Sequence, residues 1–253
     1  MTTKGLGKPV KPDQNNRKRL KGMAMNYGTT VRGTFVRRLN RFAAEVEIDG
    51  KTEPVHIKNT GRLKELLVPG AEVWLEASRT AGRKYNYSLI SVSKNGILVN
   101  IDSQAPNTVV EEALREGKVK EVGEVRTLKR EVVYGQSRFD FYYEEDGRKG
   151  FIEVKGVTLA KGDTAMFPDA PTKRGTKHVL ELADAATDGY ENVILFLVQM
   201  QGCRRFTPNA EMDGDFAETL KKTVQRGIRV LAYDAHVTVS AITFGEPLPV
   251  TIG

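Results

Sequence analysis

The first half of the chain alternates apolar and polar residues with a period of two, which is typical of half-buried β-strands. Asp49-Gly50, between two of these segments, favours a type I′ hairpin turn. Five strands are predicted at residues 31–39, 41–49, 52–58, 72–78 and 85–92, with a short helical segment at 62–67. Five short strands with one helix between the third and the fourth predict an OB-fold-like β-barrel, a fold that commonly binds oligonucleotides.

In the second half, helical and extended patterns alternate. The helices are predicted at about 108–116, 172–187 and 214–225, and the strands at 131–155 (three strands), 192–200, 228–233 and 237–243. The first helix is expected to begin at a capping box formed by Thr108 and Glu111. The apolar run 192–200 indicates a central strand that is buried on both faces. This order predicts a mixed sheet flanked by helices, and the fold class is therefore α/β (α+β).

Three regions are predicted: a leader at 1–26, the barrel at 27–102 and the mixed-sheet domain at 103–253. Residues 1–24 contain seven Lys or Arg, one Asp and almost no large apolar side chain. Such a segment cannot bury enough surface to offset its ordering entropy, so we expect the leader to be disordered. Loose binding of nucleic acid and a plain solubilising role are both open for it.

The segment 131–155 reads as three strands joined by two tight turns. A type I′ turn at Asp146-Gly147 places Asp140 opposite Glu153, and a type II′ turn at Gly135-Gln136 places Glu131 opposite Asp140. Lys155 is expected on the same face as these carboxylates, and Phe139, Phe141, Ile152 and Val154 on the other. Like charges that lie opposite each other are destabilising, and a hard divalent cation would offset this cost. A solvated polar face is the alternative for any single carboxylate.

Several segments together resemble one known family. Asp140 followed by Glu153-Val154-Lys155 resembles the catalytic core of the PD-(D/E)xK nuclease superfamily. The wider pattern resembles, in the same order, the SfsA family of sugar fermentation stimulation proteins, which are described as DNA/RNA nucleases. This resemblance extends over about residues 27–249 and is carried by NTGR (59–62), RKYNY (83–87), VVYG (132–135), RFDF (138–141), IEVKGVTL (152–159), FPDAPTKRGTKHVLEL (167–182) and RGIRVLAY (226–233).

The resemblance implies a PD-(D/E)xK nuclease-like domain behind the barrel and metal-dependent hydrolysis of phosphodiester bonds in DNA or RNA. Asp140 and Glu153 would bind Mg²⁺ or Mn²⁺, and Glu131 would bind a second ion or a water. Lys155 would orient the nucleophile or stabilise charge on the phosphate oxygens. These four residues are the predicted catalytic set.

Nucleic-acid contacts are expected on both domains. The predicted second helix follows the loop that leads on from Glu153-Val154-Lys155, and Arg174, Lys177 and His178 share one of its faces. Residues 25–100 contain twelve basic and seven acidic residues, while residues 101–253 contain twenty basic and twenty-four acidic residues. A basic barrel beside an acidic site would attract phosphate. The predicted contacts of the barrel are Arg37, Arg38, Arg41, Asn59, Arg62, Arg83, Lys84 and Tyr85.

Other function classes are excluded by what the sequence lacks. Cys203 is the single cysteine, which excludes an internal disulfide or a cysteine zinc site and suits a reducing cytosol. No apolar run is long enough for a membrane span, no signal peptide is evident, and no phosphate-cradling glycine loop is present. We expect a cytoplasmic protein without a membrane partner, and a homodimer is open. The rival interpretations are a non-catalytic nucleic-acid-binding regulator of sugar metabolism and a hydrolase of a smaller phosphodiester.

Overall fold

The computed structural model describes residues 25–80 and 82–253. A short first strand, β1 (Met25–Asn26), pairs with a strand near the other end of the chain. The predicted disordered leader is therefore wrong for residues 25 and 26, because their backbone groups have sheet partners. The rest of the predicted leader, residues 1–24, lies outside the described residues.

The N-terminal half forms a closed barrel, as predicted. Its six-stranded sheet has the order β4-β3-β2-β5-β6-β7, and β4 also pairs with β6, which closes the barrel. Alternate residues such as Phe35, Val46 and Leu75 point into the barrel and are buried, while charged residues lie between them. The strands are β2 (Thr30–Asn40), β3 (Ala43–Ile48), β4 (Lys51–Ile57), β5 (Glu72–Ala77), β6 (Tyr87–Lys94) and β7 (Ile97–Asn100).

The C-terminal half is the predicted mixed sheet with helices on both faces. Its helices are α1 (Ala105–Arg115), α2 (Lys173–Thr187) and α3 (Gly214–Gln225). Its further strands are β8 (Thr127–Tyr134), β9 (Ser137–Glu145), β10 (Arg148–Val157), β11 (Leu159–Lys161), β12 (Thr164–Phe167), β13 (Val193–Val198), β14 (Arg205–Pro208), β15 (Arg229–Val237) and β16 (Ala241–Pro247). The main sheet has the order β1-β16-β15-β13-β10-β9-β8, and β11, β12 and β14 form a small second sheet.

Strand β13 is the buried centre of the main sheet. It pairs in parallel with β10 on one side and with β15 on the other, and all six of its residues are buried. Apolar residues of α1 pack on one face of the sheet, and those of α2 and α3 pack on the other. The apolar cluster under α2 and α3 is continuous with the core of the barrel. No helix among the described residues is long and apolar enough to span a membrane.

Helix α1 begins four residues earlier than the capping box predicted, because its N-cap is Gln104 and not Thr108. Its first residue is Ala105, with Pro106 in the first turn, and Gln104 at the N-cap makes no side-chain capping bond. Proline is favoured in the first turn because the amide that it lacks has no partner there. The earlier start brings Asn107 into the helix. By contrast, α2 begins where it was predicted, with the Thr172 hydroxyl accepting a hydrogen bond from the Gly175 amide.

Candidate metal centre

The two predicted hairpins have the expected register. Pairs from Arg148↔Glu145 to Ile152↔Phe141 join β9 and β10, and Val132↔Phe139 is one of the pairs that join β8 and β9. The β9–β10 ladder ends at Ile152, and β10 continues in parallel pairing with β13. Asp140 and Glu153 therefore lie where β9 and β10 separate, so both carboxylates can face the gap that opens there.

The Asp140 carboxylate takes the place of a ladder partner. Its Oδ2 accepts a hydrogen bond of 2.8 Å from the Val154 amide, and its Oδ1 accepts one of 2.7 Å from Nδ2 of Asn107 on α1. Burial, together with the negative charge of Glu153, raises the pKa of Asp140 to about 6. The two hydrogen bonds act in the opposite direction but are outweighed.

The Glu153 carboxylate is buried, with 3% of its surface exposed, and its two oxygens differ sharply. Oε1 lies 2.5 Å from Lys155 Nζ and 2.5 Å from His178 Nδ1. Burial acts to raise the pKa of Glu153, but the hydrogen bonds from His178 and Lys155 and the charge of Lys155 outweigh it, and the pKa is lowered. Oε2 is buried without a hydrogen-bond partner among the described residues. A buried ionised oxygen without a partner is costly to fold and rare.

The donor set fits a hard divalent cation. Asp140 and Glu153 present carboxylate oxygens, and Oε2 of Glu153 is the oxygen that still requires a partner. Within the part of the chain that the structure describes, no three His, Cys, Asp or Glu side chains form a metal-binding group. A cation here would be bound by two carboxylates, and water and phosphate oxygens would supply the rest, as is common for Mg²⁺.

The predicted row of three carboxylates is wrong because Glu131 does not join the other two. Glu131 has a positive φ of 54°, and its carboxylate lies 2.7 Å from Nε of Arg138 in an exposed ion pair. The predicted apolar face is divided as well. Phe139 packs in the cluster under α2, whereas Phe141 packs in the cluster under α1. A positive φ is uncommon for Glu, and nothing in the local sequence signals it.

Helix α2 brings His178 into the site. Arg174 Nε donates to His178 Nε2 at 3.3 Å, which leaves the proton of a neutral imidazole on Nδ1, where it is donated to Glu153. Lys177 is half exposed and lies 3.6 Å from Glu181 on the same helix. Of the three predicted helix residues, His178 contacts the carboxylate directly, Arg174 contacts it through His178, and Lys177 lies beside Glu181.

Asn107 was missed by the sequence analysis. Its side-chain amide donates to Asp140 from α1, on the face of the sheet opposite α2, although the two residues are 33 positions apart in the sequence. The predicted capping box placed the start of the helix after this residue. Pro106 was the signal that could have corrected the prediction, because it marks the first turn of the observed helix.

Several predicted contact residues of the barrel have structural partners. Arg37 forms a two-pronged ion pair with Glu45, at 2.7 and 3.1 Å. The Arg38 guanidinium donates to five backbone carbonyls, those of Asn40, Arg41, Asn59, Gly61 and Arg62. Asn59 also bonds through its side chain to the Ile101 carbonyl and the Gly61 amide. Arg38 and Asn59 thus hold the loop 59–62 in shape.

The remaining predicted cations of the barrel are available to a ligand. Arg41, Arg62, Arg83 and Lys84 form no ion pair within residues 25–80 and 82–253. Arg41 lies over the ring of Phe42 at 5.7 Å, and Lys84 lies over the ring of Tyr85 at 5.4 Å. Arg62 acts to lower the pKa of Asp169, although burial of that carboxyl raises its pKa overall.

Comparisons with known proteins agree with this architecture. Residues 36–101 match the SfsA N-terminal OB domain, and residues 104–241 match the sugar fermentation stimulation protein RE domain. A sugar fermentation stimulation protein homolog of Alkaliphilus oremlandii is 51% identical over 227 residues, which cover 88% of this chain and 97% of that protein. A homolog of Clostridium botulinum strain Langeland is 47% identical over 223 residues, covering 88% of this chain and 97% of the relative.

A solved structure is also similar throughout. The structure of Pyrococcus furiosus SfsA in complex with Ca²⁺ superposes with a TM-score of 0.83 at 32% sequence identity, covering 91% of this chain and 99% of that one.

Proposed function

This chain belongs to the SfsA family, and we propose from its site that it is a divalent-metal-dependent nuclease that hydrolyses phosphodiester bonds of DNA or RNA. The observation that carries the proposal is the buried Glu153 Oε2, which lacks a partner, beside Asp140 and Lys155. The Ca²⁺ complex of the Pyrococcus furiosus relative supports a divalent cation. We propose Mg²⁺ or Mn²⁺ as the catalytic ion.

Asp140 and Glu153 are the proposed ligands, and their neighbours hold them in place. His178 and Lys155 fix Oε1 of Glu153, which leaves Oε2 as the oxygen for the ion. Asn107 and the Val154 amide fix Asp140. When bound, the cation supplies Lewis-acid charge that stabilises the negative charge developing on the phosphoryl oxygens. Residues that orient ligands in this way typically affect metal affinity or activity by about 10–100-fold.

Lys155 has a second proposed role. Its ammonium group is largely buried and ion-paired with Glu153. It therefore lies beside the carboxylate pair, where it can stabilise the charge that develops on a phosphate during attack by water. Arg174 on α2 and the unpaired cations of the barrel would contact phosphates farther along the strand.

The test is cleavage of labelled single-stranded DNA, duplex DNA and RNA by the purified chain, with Mg²⁺, Mn²⁺ or EDTA. The matched control is Glu153→Gln, in which the amide oxygen can still accept from Lys155 and His178 but the negative charge is lost. We expect cleavage of at least one substrate that requires the metal and is absent in the variant. Binding without metal-dependent cleavage on every substrate would contradict the proposal and favour the non-catalytic regulator.

A further inference from the structure

A small cavity, the barrel pocket, lies where the barrel closes. It is lined by His56 of β4, by Arg83, Lys84 and Tyr85 of the β5–β6 loop, and by Ser88 of β6, and its volume is about 170 Å³. Strands β4 and β6 share only two residue pairs, one of which joins His56 to Ser88. The Ser78 amide donates to the Asn86 carbonyl at 2.7 Å and closes the loop that carries the other three residues.

Two aromatic rings line the barrel pocket. The rings of His56 and Tyr85 lie nearly parallel, with an interplanar angle of 14° and centroids 6.2 Å apart. Burial and the nearby charges of Arg83 and Lys58 lower the pKa of His56, which favours the uncharged imidazole. Flat, uncharged ring faces of this kind are the surfaces on which nucleobases stack. Typical drug-sized pockets measure about 300–1,000 Å³, so this smaller cavity is suited to one heterocycle.

The cations at the rim select an anionic ligand. Arg83 and Lys84 are exposed, and neither forms an ion pair within the described part of the chain. Arg37, elsewhere on the barrel, shows the contrasting case, because Glu45 already neutralises it. A cationic ligand would be repelled here, whereas a planar base with phosphates on either side would meet ring faces and positive charge together.

We propose that the barrel pocket holds one base of a single-stranded nucleic acid, stacked on Tyr85 and His56, with Arg83 and Lys84 contacting the phosphates that flank it. The inference rests on the proposed function, in which the substrate is a nucleic acid, and adds that this substrate is bound as a single strand. In a duplex the base faces are already stacked inside the helix, so this pocket does not accept them without unpairing.

The test is the binding of a labelled single-stranded oligonucleotide to the full chain in EDTA, measured by fluorescence anisotropy. Because Tyr85→Ala loses one base–aromatic stack, it should bind the strand about 5- to 100-fold more weakly. His56→Ala should also bind the strand more weakly. Tyr85→Phe keeps the ring and should bind like the wild type. Phe42→Ala is the matched control, because Phe42 is a barrel ring beside a cation, as Tyr85 is, but lies outside the pocket.

Two further measurements identify the contact as stacking. The fluorescence of a 2-aminopurine base in the strand should be quenched when the strand binds the wild type. The quenching should be weaker when it binds the Tyr85→Ala variant. On a strand with abasic sites, the wild type and Tyr85→Ala should bind equally. Equal binding of all variants to the normal strand would overturn the proposal, as would an equal loss on the abasic strand. Competition by a mononucleotide as strong as that by the strand would also overturn it.

This inference and the nuclease proposal fail in different ways. Binding in EDTA requires no cleavage, so an unchanged affinity of Tyr85→Ala would overturn the pocket while metal-dependent cleavage remained. If binding depended on Tyr85 but no substrate were cleaved, the result would support the proposed base-binding pocket and contradict only the nuclease proposal.

Discussion

At the candidate metal centre the charged side chains are buried and contact one another, whereas on the barrel several cations are exposed and form no ion pair among the described residues. Glu153 contacts both Lys155 and His178, and Asp140 is held by Asn107 and a backbone amide. Arg41 and Arg62 of the barrel have no such ion pairs in the described residues. Buried, coupled charges are costly to disturb, while exposed charges contribute singly and are screened by salt. Substitutions in the two regions should therefore differ in size and in additivity.

The largest effect is expected for Asp140→Asn. The variant loses one of two proposed metal ligands, and metal-dependent cleavage should fall by about 10³-fold or more, since the cation supplies several kcal/mol. The metal-free protein should be slightly more stable near pH 8, because the repulsion between Asp140 and Glu153 is removed and Asn107 can turn its oxygen toward the new amide. Thermal unfolding with and without Mg²⁺ checks both effects. A wild-type rise in Tm with the ion that persists in the variant would contradict the assignment.

His178→Ala tests whether the buried charges are coupled. It removes the hydrogen bond that orients Glu153, and we expect a loss of about 10–100-fold in metal affinity or activity. Lys177→Ala, one residue away on the same helix but half exposed, is the matched control and should change stability by less than about 0.5 kcal/mol. Titration of each variant with Mn²⁺, followed by cleavage at saturating ion, separates affinity from turnover. Equal behaviour of the two variants would show that His178 is only packed against the site.

Metal binding should weaken as the pH falls through the pKa of Asp140, which is about 6. The ion competes with the proton, so affinity is expected to be nearly constant above pH 7 and to fall by up to about tenfold per pH unit well below 6. In the metal-free protein, the stability of the fold changes with pH in the opposite direction: it falls as the pH rises. Because the folded pKa is raised, Asp140 destabilises the fold progressively between its unfolded pKa near 4 and pH 6, and fully above that. Isothermal titration at several pH values checks the first trend. The same series with Asp140→Asn should lack the step near pH 6.

The sequence predicted the parts of the centre that depend on strand register. Turn type sets the register of a hairpin, so the pairing of β9 with β10 was predicted correctly up to Phe141 and Ile152, the residues next to Asp140 and Glu153. The residues whose placement depends on tertiary structure were not predicted. Glu131 leaves the row through an uncommon backbone angle, and the contact of His178 with Glu153 requires the packing position of α2. The cost of burying a carboxylate without a full set of partners is visible only in three dimensions.

The same division holds on the barrel. Counting basic residues shows a net positive charge over residues 25–100 but does not distinguish the cations that form ion pairs or hydrogen bonds from those that are free. Arg38 donates hydrogen bonds to backbone carbonyls up to 24 residues away in the sequence. These bonds depend on the shape of the loop 59–62, which the sequence does not show. Composition therefore predicts that the domain as a whole attracts phosphate. The structure distinguishes the cations that are free to contact phosphate from those that already have partners.

The smallest expected effects distinguish free from bound cations. Arg62→Ala and Arg41→Ala should each weaken single-strand binding a few-fold and reduce the slope of log affinity against log salt by about 0.7 for each phosphate that is no longer neutralised. Arg37→Ala should change the slope less, because Glu45 already neutralises that charge. Arg38→Ala should act through stability, because its removal leaves five carbonyls without their donor and costs about 1–3 kcal/mol. Anisotropy over a range of salt, beside chemical denaturation, measures both quantities. If Arg38→Ala changed the salt slope as much as Arg62→Ala and left stability unchanged, the division between structural and free cations would be wrong.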